Sequence, residues 1–238
     1  MKDVMRAEWT KLRTSPGTLA LLVGVVVATV GVSAAASTCS GAGCDADLPR
    51  LGLTGVQLGQ AVVAILGVLV VGHEYGTGMV RVTLTAMPRR LHVLLAKAAV
   101  LAAAVAVAAV PAVAGAVTVS QLMLPEHDLA LRPAAGSVLY LVLIALLALG
   151  AATALRSAAA AIGTILALLY ALPIVLSVIH DEEWRDRLRR MGPSTAGLAV
   201  QATTADAVTG PWKGLGVLAL WTLGALLVAA VVLKRRDA

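Results

Sequence analysis

His73-Glu74 is the one pair in this chain that matches the opening of a zinc-hydrolase helix, H-E-x-x-H. That chemistry needs two imidazoles one helical turn apart, and position 77 is Thr77, so the second ligand is missing. No apolar segment joins a serine to a histidine partner, and no metal ligand set is apparent. The glycine-rich GPWKGLG at Gly210 does not fit G-x-x-x-x-G-K-[ST], so the chain has no phosphate-cradling loop of that kind. Two weaker features remain. Gln57 and Gln60 lie three apart on one helical face inside an apolar run. They read either as an interhelical hydrogen bond or as a polar patch lining a pathway. Cys39 and Cys44, in CSGAGC, fall between two apolar runs. In an external, oxidising loop they form a disulfide or stand as two free thiols.

These residues sit in a chain built for lipid. Of 238 residues, 59% are hydrophobic and 13% charged, with a mean hydropathy of +0.90. A soluble domain carries about 25% charged residues, so a water-soluble globule is excluded. Ala, Val and Leu dominate and Phe is absent, which lets helices approach closely in a bilayer. The net charge of +6 lies between the apolar runs. It reads as the positive-inside signature and not as a nucleic-acid surface.

Six apolar segments, 17–36, 51–72, 98–120, 133–155, 157–179 and 214–233, are each about 20 residues or slightly more, enough to cross ~30 Å of hydrocarbon as a helix. The first is too long for the apolar part of a signal peptide and reads as a retained span. None carries a charged residue or His at its middle, which argues against proton or sodium coupling. Pro111 and Pro173 lie inside the third and fifth segments, where a kink is expected. Lys2, Arg6, Lys11, Arg13, Arg81, Arg89, Arg90, Lys97, Arg156 and Lys234 to Arg236 fall on one side. The other side holds most of the acids, although Arg185 to Lys213 run against the rule there. Both termini are therefore expected in the cytoplasm.

Two flanking stretches are distinctive. Residues 1–15 predict an amphipathic interface helix with Met5, Trp9 and Leu12 on one face and Lys2, Arg6 and Arg13 on the other. Ser15-Pro16 then reads as a cap and first turn. Residues 72–97 form the one long polar and basic interruption, with Gly76 and Gly78 allowing a bend and a short helix expected over 79–86. Beyond the fifth segment, DEEWRDRLRRM (181–191) predicts a short surface helix with Trp184, Leu188 and Met191 on one face.

The order of these pieces resembles the permease subunit of an ABC-2 type ABC transporter, of the short six-span kind common in actinobacteria. The matching residues are Ala7 to Thr14 (AEWTKLRT) before the first span; Glu74-Tyr75, Gly78, Arg81, Thr83-Leu84 and Pro88-Arg89-Arg90 after the second; Leu155-Arg156-Ser157 between the fourth and fifth; and Pro193-Ser194 with Ala196-Gly197 before the sixth. Met79 departs from the Thr that the family often has there. The resemblance implies an all-α integral membrane protein forming one transmembrane domain over 1–238, in the plasma membrane. Its coupling helix would lie within Glu74 to Arg90 and dock on a separate ATPase. Its interface helix would carry Met5, Trp9, Lys11, Leu12 and Arg13, and residues 194–204 would form an external re-entrant hairpin in place of a solvated loop. ATP and magnesium would belong to the ATPase. Two permease chains, identical or related, would form one pathway, and small apolar spans suit export of a hydrophobic or amphipathic compound. The rival expectation is an accessory anchor or sensor that moves no cargo.

Overall fold

The computed structural model describes residues 2–38, 47–79, 90–123, 131–203 and 210–235, excepting the side chains of residues 2, 3 and 90. It is an all-α membrane protein, with no strand among the described residues. A short helix α1 (Lys2–Thr14) leads into α2 (Pro16–Ser37). A one-turn helix α3 (Leu48–Gly52) precedes α4 (Val56–Thr77). Next come α5 (Arg90–Met123), α6 (Leu131–Leu155) and α7 (Ala158–Leu166). A π-helical turn (Ala167–Ala171) joins α7 to α8 (Leu172–Val178). Short helices α9 (Glu182–Met191) and α10 (Pro193–Gly197) with a 3-10 turn (Leu198–Gln201) precede the last helix, α11 (Pro211–Arg235). Six stretches are long and apolar enough to cross a bilayer: α2, α3–α4, α5, α6, α7–α8 and α11.

The bundle is centred on α6, which packs against α4, α5 and α11, while α2 leans on α4 and α5. Tyr140, Leu141, Ile144 and Leu149 of α6 are fully buried. The outer spans turn their apolar side chains outward: Val23 and Val27 on α2, and Leu220, Leu223 and Leu227 on α11, are exposed. Outward leucine and valine are what a lipid solvent requires. Close approach rests on absent side chains. A Cβ at Gly150 would lie 2.8 Å from the Ala225 carbonyl carbon, so α6 and α11 meet backbone to backbone there.

The prolines behave differently from each other. α5 continues as one helix through Pro111, on an outward face. Pro173 is the second residue after the π turn; the wider turn is the adjustment that admits a residue without an N–H. Arg156, in the two-residue link between α6 and α7, takes φ +55, and the Ser157 hydroxyl accepts from Ala160 N to start α7. Ser15 has the extended backbone of an N-cap before Pro16, but its hydroxyl makes no capping bond; its carbonyl accepts from Leu19 N at 3.2 Å.

Candidate functional site

At the end of the bundle that carries α1, four charged side chains close a ring. Lys97, in the second turn of α5, reaches Glu8 at 2.7 Å and Glu74 at 3.0 Å. Lys11 reaches the same two carboxylates, at 3.2 Å and 3.0 Å. Two lysines and two glutamates make the ring neutral, and each charge has two opposite neighbours. Glu8 and Lys97 are almost wholly buried, at 4% and 5% exposed. Burying such charges is tolerated only when they are mutually paired and hydrogen-bonded. Burial pulls the Lys11 pKa down, but the hydrogen bond and charge of Glu74, and then those of Glu8, outweigh it and hold the pKa above the ordinary lysine value.

Sequence sets each member in place. Val4, Glu8 and Leu12 follow at i, i+4, i+8 and are buried together, so this is the face of α1 that meets the bundle. Met5 and Trp9, expected to share an apolar face with Leu12, are instead exposed, 38% and 46%, while Leu12 is buried. The apolar contact with the bundle is made by Val4 and Leu12, while Met5 and Trp9 point away. Arg13 is exposed as expected. Glu74 sits in the last turn of α4, which Gly78 ends in the left-handed region at φ +71. There a glycine escapes the Cβ clash that other residues meet. Gly76, in contrast, stays helical. The Tyr75 hydroxyl lies 3.5 Å from the Thr153 carbonyl and beside Arg156, tying the end of α4 to the α6–α7 link. Beside the ring is a cleft of about 260 Å³. Leu12, Leu69, Val70 and Met79 form its apolar surface; the four ring residues Glu8, Lys11, Glu74 and Lys97, with Ser15, Thr18, His73 and Thr77, form its polar one.

Of the residues expected to couple to a partner, Arg81, Thr83, Leu84, Pro88, Arg89, residues 80–86 of the expected short helix and the side chain of Arg90 lie outside the described residues, as do Cys39 and Cys44. Glu74, Tyr75 and Gly78 are brought together with α1. In the sequence Lys97 reads only as one of the positive charges on one side and Glu8 only as part of AEWTKLRT; their pairing across 89 positions leaves no local signal beyond the rarity of a carboxylate on an apolar helix face.

The two glutamines separate. Gln60 is buried and its side-chain oxygen accepts from the buried Tyr140 hydroxyl, an α4–α6 bond. Gln57 is exposed; its backbone carbonyl accepts from the Tyr170 hydroxyl and its N–H donates to the Thr54 carbonyl. Gln60 is thus an interhelical link.

At the far end, α9 is capped by Asp181, whose carboxylate accepts from Glu183 N at 3.0 Å and Trp184 N at 3.3 Å. Trp184 and Met191 on its apolar face are exposed. The segment 193–201 is no solvated loop: Ser194, Ala196, Gly197, Val200 and Gln201 are buried. Gly197 lies against the Tyr140 ring, and Gln201 Nε2 donates to Ser137 Oγ at 3.0 Å. The Arg132 guanidinium closes the turn on the Ala202 carbonyl at 2.7 Å.

Among the described residues no group of three or more His, Cys, Asp or Glu side chains is placed to hold a metal. What fold and site define is a multi-pass, all-α membrane protein whose surface helix is ion-paired to two of its spans. No family model matches the chain, and no curated protein matches it.

Proposed function

We propose that this chain is the membrane-spanning permease subunit of an ATP-driven ABC transporter of the ABC-2 kind. It pairs with a second permease chain and with a separate ATPase that holds ATP and magnesium. It exports a hydrophobic or amphipathic compound across the plasma membrane, with both termini in the cytoplasm. The observation that carries this reading is the four-charge ring. It fixes α1 to the end of α4 and the start of α5, the two helices that flank residues 80–89.

A push on that basic segment reaches α4 and α5 directly, and the ring makes α1 move with them. Because the ring is neutral and internally paired, it shifts as a unit without exposing a bare charge to lipid. The pair Tyr75 and Arg156 extends the same connection to the α6–α7 link. A displacement at one end is then handed to four of the six spans.

The test is a detergent pull-down of the tagged chain beside an Arg81→Glu/Arg89→Glu variant, with mass spectrometry of the co-purified proteins. An ATPase bearing a phosphate loop, captured by the wild type and lost by the variant, is the expected result. A folded wild-type chain that brings down no ATPase would overturn the proposal in favour of an accessory anchor or sensor.

A further inference from the structure

We infer that the last turn of α9 holds the phosphodiester of a membrane phospholipid in the leaflet at the far end, with Arg189 and Arg190 as its two cations. The inference stands apart from the transport reading.

The first observation is where α9 ends. The chain turns back after α8, and α9 runs down beside it. A Cβ on Gly192 would lie 3.2 Å from Leu172 Cδ2, and the Trp221 indole donates to the Met191 carbonyl at 2.9 Å. Leu172 lies six residues in from Val178, where α8 ends, and Trp221 ten residues in from Pro211, where α11 starts. At a rise of about 1.5 Å per residue, the last turn of α9 is about 9–15 Å below the ends of those spans. α10 then packs beside the π turn. Residues 182–197 are therefore a hairpin that dips between the spans, with α9 as its descending arm.

The second is the charge left over at its deep end. Three acids, Asp181, Glu182 and Glu183, open α9, and two arginines close it. The upper acids are already engaged. Asp181 caps the helix, Glu182 pairs with Arg185 at 3.4 Å and Glu183 with Arg187 at 3.9 Å. Arg189 and Arg190 are both exposed, and among the described residues neither guanidinium has an ion pair or a hydrogen-bond partner. Asp186, one turn above, is the single acid left and pairs with neither. The last turn keeps a net positive charge and free donors.

The third is the surroundings. Met191 of α9 and Ile174 and Val178 of α8 expose apolar side chains beside the same stretch. Hydrocarbon does not hydrate a guanidinium, so an arginine at this level reaches for the headgroup layer. The N-terminus of α9 points at that layer, and the side chains of a helix lean toward its N-terminus. Both arginines thus lean away from the carbonyl end and up to the headgroups. A phosphodiester accepts charge-assisted bonds from both, while its acyl chains lie along Ile174 and Val178. A free anion finds only the first of these contacts.

The experiment is native mass spectrometry of the full chain, delipidated in detergent and titrated with dioleoyl phosphatidylglycerol or dioleoylglycerol. Arg189→Gln/Arg190→Gln is compared with wild type and with Arg6→Gln/Arg13→Gln, which removes two exposed arginines at the opposite end of the bundle. The α9 variant is expected to carry one phosphatidylglycerol fewer than wild type at the same concentration. Its affinity for that lipid is expected to fall about tenfold, from the loss of charge-assisted bonds. The α1 variant is expected to keep that lipid, and dioleoylglycerol to leave the site empty in all three. Both arginines are exposed, so the fold is expected to survive; if the double variant does not fold, Arg190→Gln alone is expected to weaken the same lipid about threefold. Unchanged lipid retention in the folded α9 variant, an equal loss in the α1 variant, or equal retention of dioleoylglycerol would overturn the site. Displacement of the bound lipid by inorganic phosphate would overturn the lipid as its occupant.

Discussion

Replacing Lys97 by Met is the sharpest probe of the ring. Lys97 is 6% exposed at its side chain and bonds both carboxylates. Its loss leaves Glu8 and Glu74 sharing one lysine, a net negative charge in a buried place. Breaking a buried ion pair costs about 3–5 kcal/mol; because Lys11 still reaches both acids, the lower end, about 3 kcal/mol, is expected. Glu8→Gln leaves the opposite imbalance and a cost of the same order. The double variant Glu8→Gln/Lys97→Met leaves the neutral pair Lys11–Glu74. It is therefore expected to be more stable than the sum of the singles by about 1–3 kcal/mol. Lys11→Met removes a charge that is 40% exposed, where solvent screens the pair, and costs less than about 1 kcal/mol. Equilibrium unfolding in mixed detergent micelles, followed by circular dichroism, measures all four. Additivity within about 0.5 kcal/mol, or a Lys11 variant as damaged as the Lys97 variant, would refute the ring as a coupled buried unit.

Three further outcomes follow from the packing. Gln60→Leu and Tyr140→Phe each orphan a buried partner and should cost about 1–3 kcal/mol in the same assay, whereas the double variant should lie near the milder single. Gly150→Val forces α6 and α11 apart at the Ala225 contact and should lower stability by about 1–3 kcal/mol or more; a neutral result would show that the two backbones do not meet there. Gly78→Val places a β-branched residue at φ +71 and should cost about 1–2 kcal/mol, read as weaker protection of the last turn of α4 in hydrogen exchange.

The spans were legible because their signal is local. An apolar run of bilayer length has one stable solution in lipid, and helices occupy the runs from Gly17 to Leu233 apart from the break at 53–55, with α5 starting about two turns early, at Arg90. α1 was legible as a helix, but not in its orientation. Placing Met5, Trp9 and Leu12 on one apolar face of an interface helix gives Glu8 no part in the packing, and nothing near Glu8 in the chain announces Lys97. The buried segment 193–201 was ambiguous for a related reason. Ser194, Gly197 and Gln201 read as loop residues until Tyr140, Ser137 and Gly214 are placed around them. Gln57 and Gln60 share a helical face in sequence, yet only the partner on α6 separates a structural amide from an exposed one. What could not be read is in each case a contact between distant residues.

The ring also sets an order in time. Glu8 leaves the ribosome 89 residues before Lys97, an interval of roughly 4–18 s at about 5–20 residues per second. Two spans are threaded into the bilayer during that wait, and until the third follows α1 has no buried cation to receive its carboxylate. The exposed Met5, Trp9 and Arg13 hold the nascent helix at the membrane surface through that interval. Closure of the four charges then marks the moment at which the first half of the bundle becomes a finished unit.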